Sequence, residues 1–98
     1  MPAYMVLNYD VTDPEALAAY RDRATPVLFG PGSVEVVAVS EATVGLPEGV
    51  ATGTHTVILR FDDVAHAQAV YDADDYQAVL GERLAATRPN AAFIVAGV

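Results

Sequence analysis

The chain has 98 residues, with thirteen Asp and Glu against five Arg and no Lys, giving a net charge of −8. That balance repels phosphate backbones and anionic headgroups, so nucleic-acid and membrane-surface binding are excluded as leading functions; without Cys there are no disulfides, thiolate nucleophiles or zinc–thiolate sites. The length suits one domain, residues 1–98, and an apolar fraction of 53% exceeds what a monomer this small hides easily, so a second copy is expected to cover part of it.

Strand one is predicted over Ala3–Val11, where Tyr4, Val6, Asn8 and Asp10 alternate with the wholly apolar or aromatic set Met5, Leu7, Tyr9 and Val11. Thr12-Asp13-Pro14-Glu15 is a helix start: Asp13 can cap free amides, Pro14 suits the first helical position and Glu15 complements the dipole. Leu17, Tyr20, Ala24, Val27 and Leu28 then form one apolar stripe over Pro14–Phe29, with Pro26 placed to kink or end it. Gly30-Pro31-Gly32 breaks the chain before a second strand over 33–40. Residues 40–54, with three Gly and Pro47, read as a long hairpin connection.

Strand three, His55–Phe61, sets His55, Val57, Leu59 and Phe61 on one face and Thr56, Ile58 and Arg60 on the other. A helical pattern over 63–87 follows, capped by Asp62 or Asp63. It is interrupted at Asp72-Ala73-Asp74-Asp75, where a second cap is expected to restart it, and ended by Pro89-Asn90. In its second part Tyr76, Val79, Leu80, Arg83, Leu84 and Thr87 share one side. The apolar run 91–98 reads as a last strand buried on both faces.

Strand, helix, strand, strand, helix, strand, with right-handed crossovers, predicts an α+β ferredoxin-like βαββαβ fold: a four-stranded antiparallel sheet with its helices on one face. The other face is left bare, which predicts a homodimer through that face. No basic segment followed by an apolar stretch opens the chain, and no apolar run approaches the roughly 20 residues of a membrane span, so a soluble cytoplasmic protein is expected.

Thr12-Asp13-Pro14-Glu15 with Tyr20, then Phe61 before an alanine-rich helix, Tyr71-Asp72, Asp75-Tyr76-Gln77, Arg83 and the terminal Val95-Ala96-Gly97-Val98 together resemble the domain-of-unknown-function family thirteen-thirty. That family lies within the dimeric α/β-barrel superfamily. The resemblance spans essentially the whole chain and is most specific over 61–83. It implies a subunit whose sheet closes a barrel with a second subunit's sheet. It does not imply a reaction, because the superfamily mixes cofactor-free monooxygenases, isomerases, haem-handling proteins and non-catalytic stress proteins. The family tends to follow its first helix with Gly-Gly and a basic residue, then a second basic residue; Pro31-Gly32-Ser33-Val34-Glu35-Val36-Val37 carries no base.

Tyr76 and Arg83 stand two helical turns apart on one side, and Tyr20 comes from the other helix. A guanidinium among phenols could hold a carboxylate or enolate bidentately; alternatively Arg83 snorkels to Glu82 or Asp75 and the tyrosines are amphipathic core. His55, on the helix-facing side of its strand, could serve as a general base, or could lie on a solvated rim. His66 after Asp62 and Asp63 suggests capping by the acids rather than metal binding, since no further ligand has the spacing, and no metal is expected. No Gly-rich loop opens a helix, so no nucleotide cofactor is expected.

Two functions compete. One is a small-molecule pocket between helices and sheet, with Tyr20, Tyr71, Tyr76 and Arg83 as ligand-binding residues. Its catalytic form would be cofactor-independent proton transfer or oxygenation, with His55 as base and Arg83 stabilising the anion. The other is a non-catalytic dimeric module that binds a metabolite or a protein. A cavity reaching Arg83 and His55 favours the first, and a solid interior with Arg83 in solvent favours the second.

Overall fold

The computed structural model of the protein describes residues 1–30 and 34–98. Pro31, Gly32 and Ser33, on which the predicted break and the start of the second strand fall, lie outside the described residues. The strands are β1 (Ala3–Val11), β2 (Glu35–Ser40), β3 (His55–Phe61) and β4 (Thr87–Ala96), and the helices are α1 (Pro14–Phe29), α2 (Val64–Asp72) and α3 (Asp74–Ala86). The sheet order is β2-β3-β1-β4 with every neighbouring pair antiparallel. Each crossover's parallel strands are separated by a strand of the other half, which is the split βαβ arrangement expected from the element order. None of the described helices is long and apolar enough to cross a membrane.

The register sorts side chains as the alternation predicts. Ala3, Met5, Leu7 and Tyr9 of β1 lie opposite Phe61, Leu59, Val57 and His55 of β3. On this face the core forms with Leu17, Tyr20, Ala24 and Leu28 of α1 and Tyr76, Leu80 and Ala86 of α3. The opposite face carries Val6 against Ile58 and Phe93, and Tyr4 against Arg60 and Val95. Phe93 and Val95 are about half exposed, at 51% and 47%. No described helix covers this face.

Local chemistry sets the helix ends. The Ala16 amide donates to Asp13 Oδ1 (3.1 Å), with Pro14 and Glu15 in the first turn. Pro26 neither ends nor shortens α1: it sits on the exposed side and the helix continues to Phe29. The long helical pattern divides at Ala73. The His66 amide donates to Asp63 Oδ1 (2.7 Å), which caps α2, but at α3 the cap position is Ala73, which has no side-chain acceptor to offer. Asp74 and Asp75 still favour its start by placing negative charge in the first turn. Its end comes at Ala86, three residues before Pro89, and the Thr12 and Asp13 amides both donate to the Ala86 carbonyl (2.9 and 3.1 Å).

The last strand departs from the sequence expectation. β4 begins at Thr87 and is largely exposed, not buried on both faces. It is an edge strand, so its apolar run faces the open side of the sheet and a helix layer that covers it only in part. Pro89 is tolerated there, where the pairing with β1 slips between Asn8 and Tyr9. Arg60 and Glu35, opposite each other on the open face, form an exposed ion pair at 3.3 Å within one chain.

Asn8 ties the 40–54 connection back to the sheet. Its two Nδ2 protons are shared among the carbonyls of Gly53 (3.2 Å) and His55 (3.1 Å) and Thr56 Oγ1 (2.9 Å), and the Gly53 amide donates to its Oδ1 (2.7 Å). A Cβ on Gly53 would run into the Tyr9 carbonyl and the Asn90 amide, whereas one on Gly81 of α3 meets open space. Gly53→Ala should therefore cost about 2 kcal/mol or more in urea unfolding. Gly81→Ala should raise stability by about 0.5–1 kcal/mol, through helix propensity and unfolded-state entropy.

Candidate functional site

The crossing of α1 over β2 and β3 leaves a cavity of about 230 Å³, lined among others by Tyr9, Tyr20, Arg21, Val39, Val57 and Arg83. Each residue arrives there for a local reason. Tyr9 and Val57 lie on the helix-facing register of β1 and β3. Tyr20 continues the buried stripe of α1, and Arg21 lies three, four and seven residues before Ala24, Thr25 and Leu28 on the same wall. Arg83, two turns after Tyr76, is brought in by the buried side of α3. Val36 and Val39 of β2 stay about half exposed at the rim, at 53% and 56%.

Arg83 is the unusual member. It is 3% exposed, and its Nε is buried without a hydrogen-bond partner among the described residues. It forms no ion pair there either. The acids to which it could have snorkelled are engaged elsewhere: Glu82 pairs with Arg23 of α1 at 3.2 Å, and Asp75 Oδ1 accepts from the Tyr76 amide at 2.8 Å. Pro31, Gly32 and Ser33 carry no carboxylate. A charge so largely withdrawn from water without a counter-charge costs several kcal/mol, which the position of Arg83 in the last turn of α3 offsets only partly.

Beside it the hydroxyls of Tyr20 and Tyr76 share a hydrogen bond of 2.6 Å. Burial, reinforced by Tyr76, holds the Tyr20 phenol well above the ordinary tyrosine range; Arg83 pulls the other way and loses. Tyr20 is thus a neutral phenol at physiological pH. Such a group is a donor, and Arg83 is a donor only.

The remaining sequence-predicted residues are placed as follows. Tyr76 is 1% exposed and meets the cavity through Tyr20 rather than lining it. Tyr71, tilted against Tyr76 at 5.6 Å between ring centres, lines a different hollow of about 200 Å³ with Met5, Leu7 and Ile94. His55 stacks on Tyr9 (5.8 Å, 14°) and its Nδ1 lies 2.8 Å from Thr54 Oγ1; it does not line the cavity, and no Tyr or Asp bonds to it. His66 lies 3.6 Å from Asp62, and the described residues hold no cluster of three or more His, Asp or Glu suited to a metal. Sequence reasoning did not select Tyr9 and Arg21, although the strand alternation and the α1 spacing contain both.

Two outcomes follow from burial. Arg83→Met, similar in length and uncharged, should raise the melting temperature by a few degrees, on the order of 1 kcal/mol. The raised Tyr20 pKa stabilises the fold fully below the unfolded tyrosine value of about 10, and that contribution is lost as pH rises above it. Melting temperature should accordingly fall above about pH 10, and less steeply in Tyr20→Phe.

The profile of the domain of unknown function DUF1330 matches residues 2–98. No curated protein matches the chain. Among solved structures, a protein of unknown function from Rhodopseudomonas palustris is similar at a TM-score of 0.73 and 21% identity, covering 99% of this chain and 82% of that one. A dimeric ferredoxin-like protein of unknown function from Thermobifida fusca follows at 0.63 and 16%, covering 99% and 92%. A candidate antibiotic biosynthesis monooxygenase from Chloroflexus aurantiacus is similar at 0.62 and 9%, covering 100% and 94%. At these identities the likeness speaks for the fold, which is ferredoxin-like.

Proposed function

Because the chain belongs to the DUF1330 family, whose name prescribes no reaction, function has to come from the site, and we propose that the cavity beneath α1 binds a small, largely apolar molecule bearing one carboxylate or enolate. The observation that carries this reading is the buried Arg83, which lines the cavity with a charge and an Nε–H that nothing among the described residues satisfies. An anionic guest would supply both the counter-charge and the acceptor. Its apolar body would rest on Leu28, Val39 and Val57.

Binding is favoured over turnover. The polar side chains lining it, Tyr9, Tyr20, Arg21, Thr25 and Arg83, offer donors to an anion but include no imidazole or carboxylate to serve as a base, and His55 stands outside the cavity. The catalytic alternative, proton transfer or oxygenation without a cofactor, would use Arg83 to favour an enolate and would need its base from elsewhere. The working unit is a homodimer joined through the open sheet face, supported by the half-exposed Phe93 and Val95 on that face and by the dimeric protein of similar fold from T. fusca.

Benzoate and its neutral isostere benzamide test the reading by calorimetric titration. Benzoate should bind at least roughly tenfold more tightly than benzamide, as expected for one charge-assisted pair, and Arg83→Met should abolish the difference while leaving the fold intact. Equal binding of the two probes, or full benzoate affinity in Arg83→Met, would contradict it.

A further inference from the structure

The hydrogen atoms at the site do not balance its acceptors. Tyr20 and Tyr76 carry two hydroxyl protons, yet one bond joins them. Arg83 approaches the Tyr20 oxygen as a donor, which uses a lone pair and accepts neither proton, and no described residue accepts from either hydroxyl outside the pair. Among the described residues one phenolic proton is therefore left over, and the Nε–H of Arg83 is left over with it. A dry interior makes unused donors costly, and the cost falls where the group cannot reach water.

The pair has two arrangements. If Tyr20 donates to Tyr76, the spare proton lies on Tyr76, sealed in the core at 1% exposure and away from the cavity. If Tyr76 donates to Tyr20, the spare proton lies on Tyr20, which does line the cavity. An acceptor entering beside Arg83 satisfies every donor only in the second arrangement. The chain would then run from Tyr76 to Tyr20 to guest, and each bond in such a chain polarises the next.

We infer that Tyr76 is a positioning residue for the guest: without touching it, Tyr76 donates to Tyr20 and thereby turns the Tyr20 proton into the cavity towards the guest's anionic oxygen. This rests on the anion-binding reading above. The guest is selected by donor surplus, so it presents acceptors only at this end; a protonated acid, an amide or an alcohol would bring a further donor to a site that already has too many.

Benzoate titrations of the wild type, Arg83→Met, Tyr20→Phe, Tyr76→Phe and the double Phe variant separate the possibilities. Tyr20→Phe should weaken benzoate roughly tenfold, and Tyr76→Phe by about three- to tenfold. The double variant should be no weaker than Tyr20→Phe alone, because Tyr76 acts through Tyr20. In the wild type the hydroxyl protons of both tyrosines should shift downfield together in the NMR spectrum as benzoate saturates, a readout that needs no variant to fold. If Arg83→Met keeps full benzoate affinity, the anion-binding reading fails and this inference with it. If Arg83→Met loses benzoate but Tyr76→Phe does not, the positioning role alone is overturned. That role also fails if the two Phe losses add in full, or if only the Tyr20 hydroxyl moves. A purely structural Tyr76 would lower the melting temperature and leave the benzoate affinity and the benzoate-to-benzamide ratio unchanged.

Discussion

Ionised groups stay out of protein interiors unless an opposite charge or a complete set of hydrogen bonds accompanies them. Arg83 is in the interior with neither among the described residues, in a chain that has thirteen acids to offer. The neighbouring acids have not been lacking in opportunity. Glu82, the next residue before it, turns outward to Arg23 and ties α3 to α1, and Asp75 is used at the start of α3. The fold thus commits its nearby carboxylates to holding the helices and leaves the guanidinium facing a cavity.

The rest of the architecture makes that placement possible. The buried side of α3 sets Tyr76, Leu80 and Arg83 against the sheet, and α1 brings Tyr20 to meet Tyr76 across 56 positions of sequence. Asn8 fixes the return of the long hairpin, which sets the β3 register and so the position of Val57 on the cavity wall. Because α1 and α3 lie on one side of the sheet, the cavity belongs to a single subunit, while the opposite face remains free for a second copy. On the proposed reading, assembly and ligand binding take separate faces of one sheet.

Much of this was legible in the residues. The alternation of Met5, Leu7 and Tyr9, the capping sequence at Asp13-Pro14-Glu15 and the seven-residue step from Tyr76 to Arg83 each encode a local geometry, and the structure realises them. The βαββαβ order followed from the sum of such local signals. What failed were inferences from composition without period: the run 91–98 is apolar on both sides, which reads as double burial, yet it forms an exposed edge. Pro26 shows another limit: the helix runs on past it to Phe29, so a proline three residues from a helix end does not mark that end. The Tyr20–Tyr76 bond and the isolation of Arg83 from Glu82 depend on how two distant helices cross, and no local pattern carries that information.

The central question is whether something other than the protein chain completes the Arg83 guanidinium. A crystal structure of the protein purified without any step that strips ligands tests this most directly. The expected result is density for a small molecule beneath α1 with an oxygen about 2.7–2.9 Å from both Arg83 and the Tyr20 hydroxyl. A carboxylate of the chain itself closing on Arg83, or a cavity filled by its own side chains, would contradict anion binding at this site.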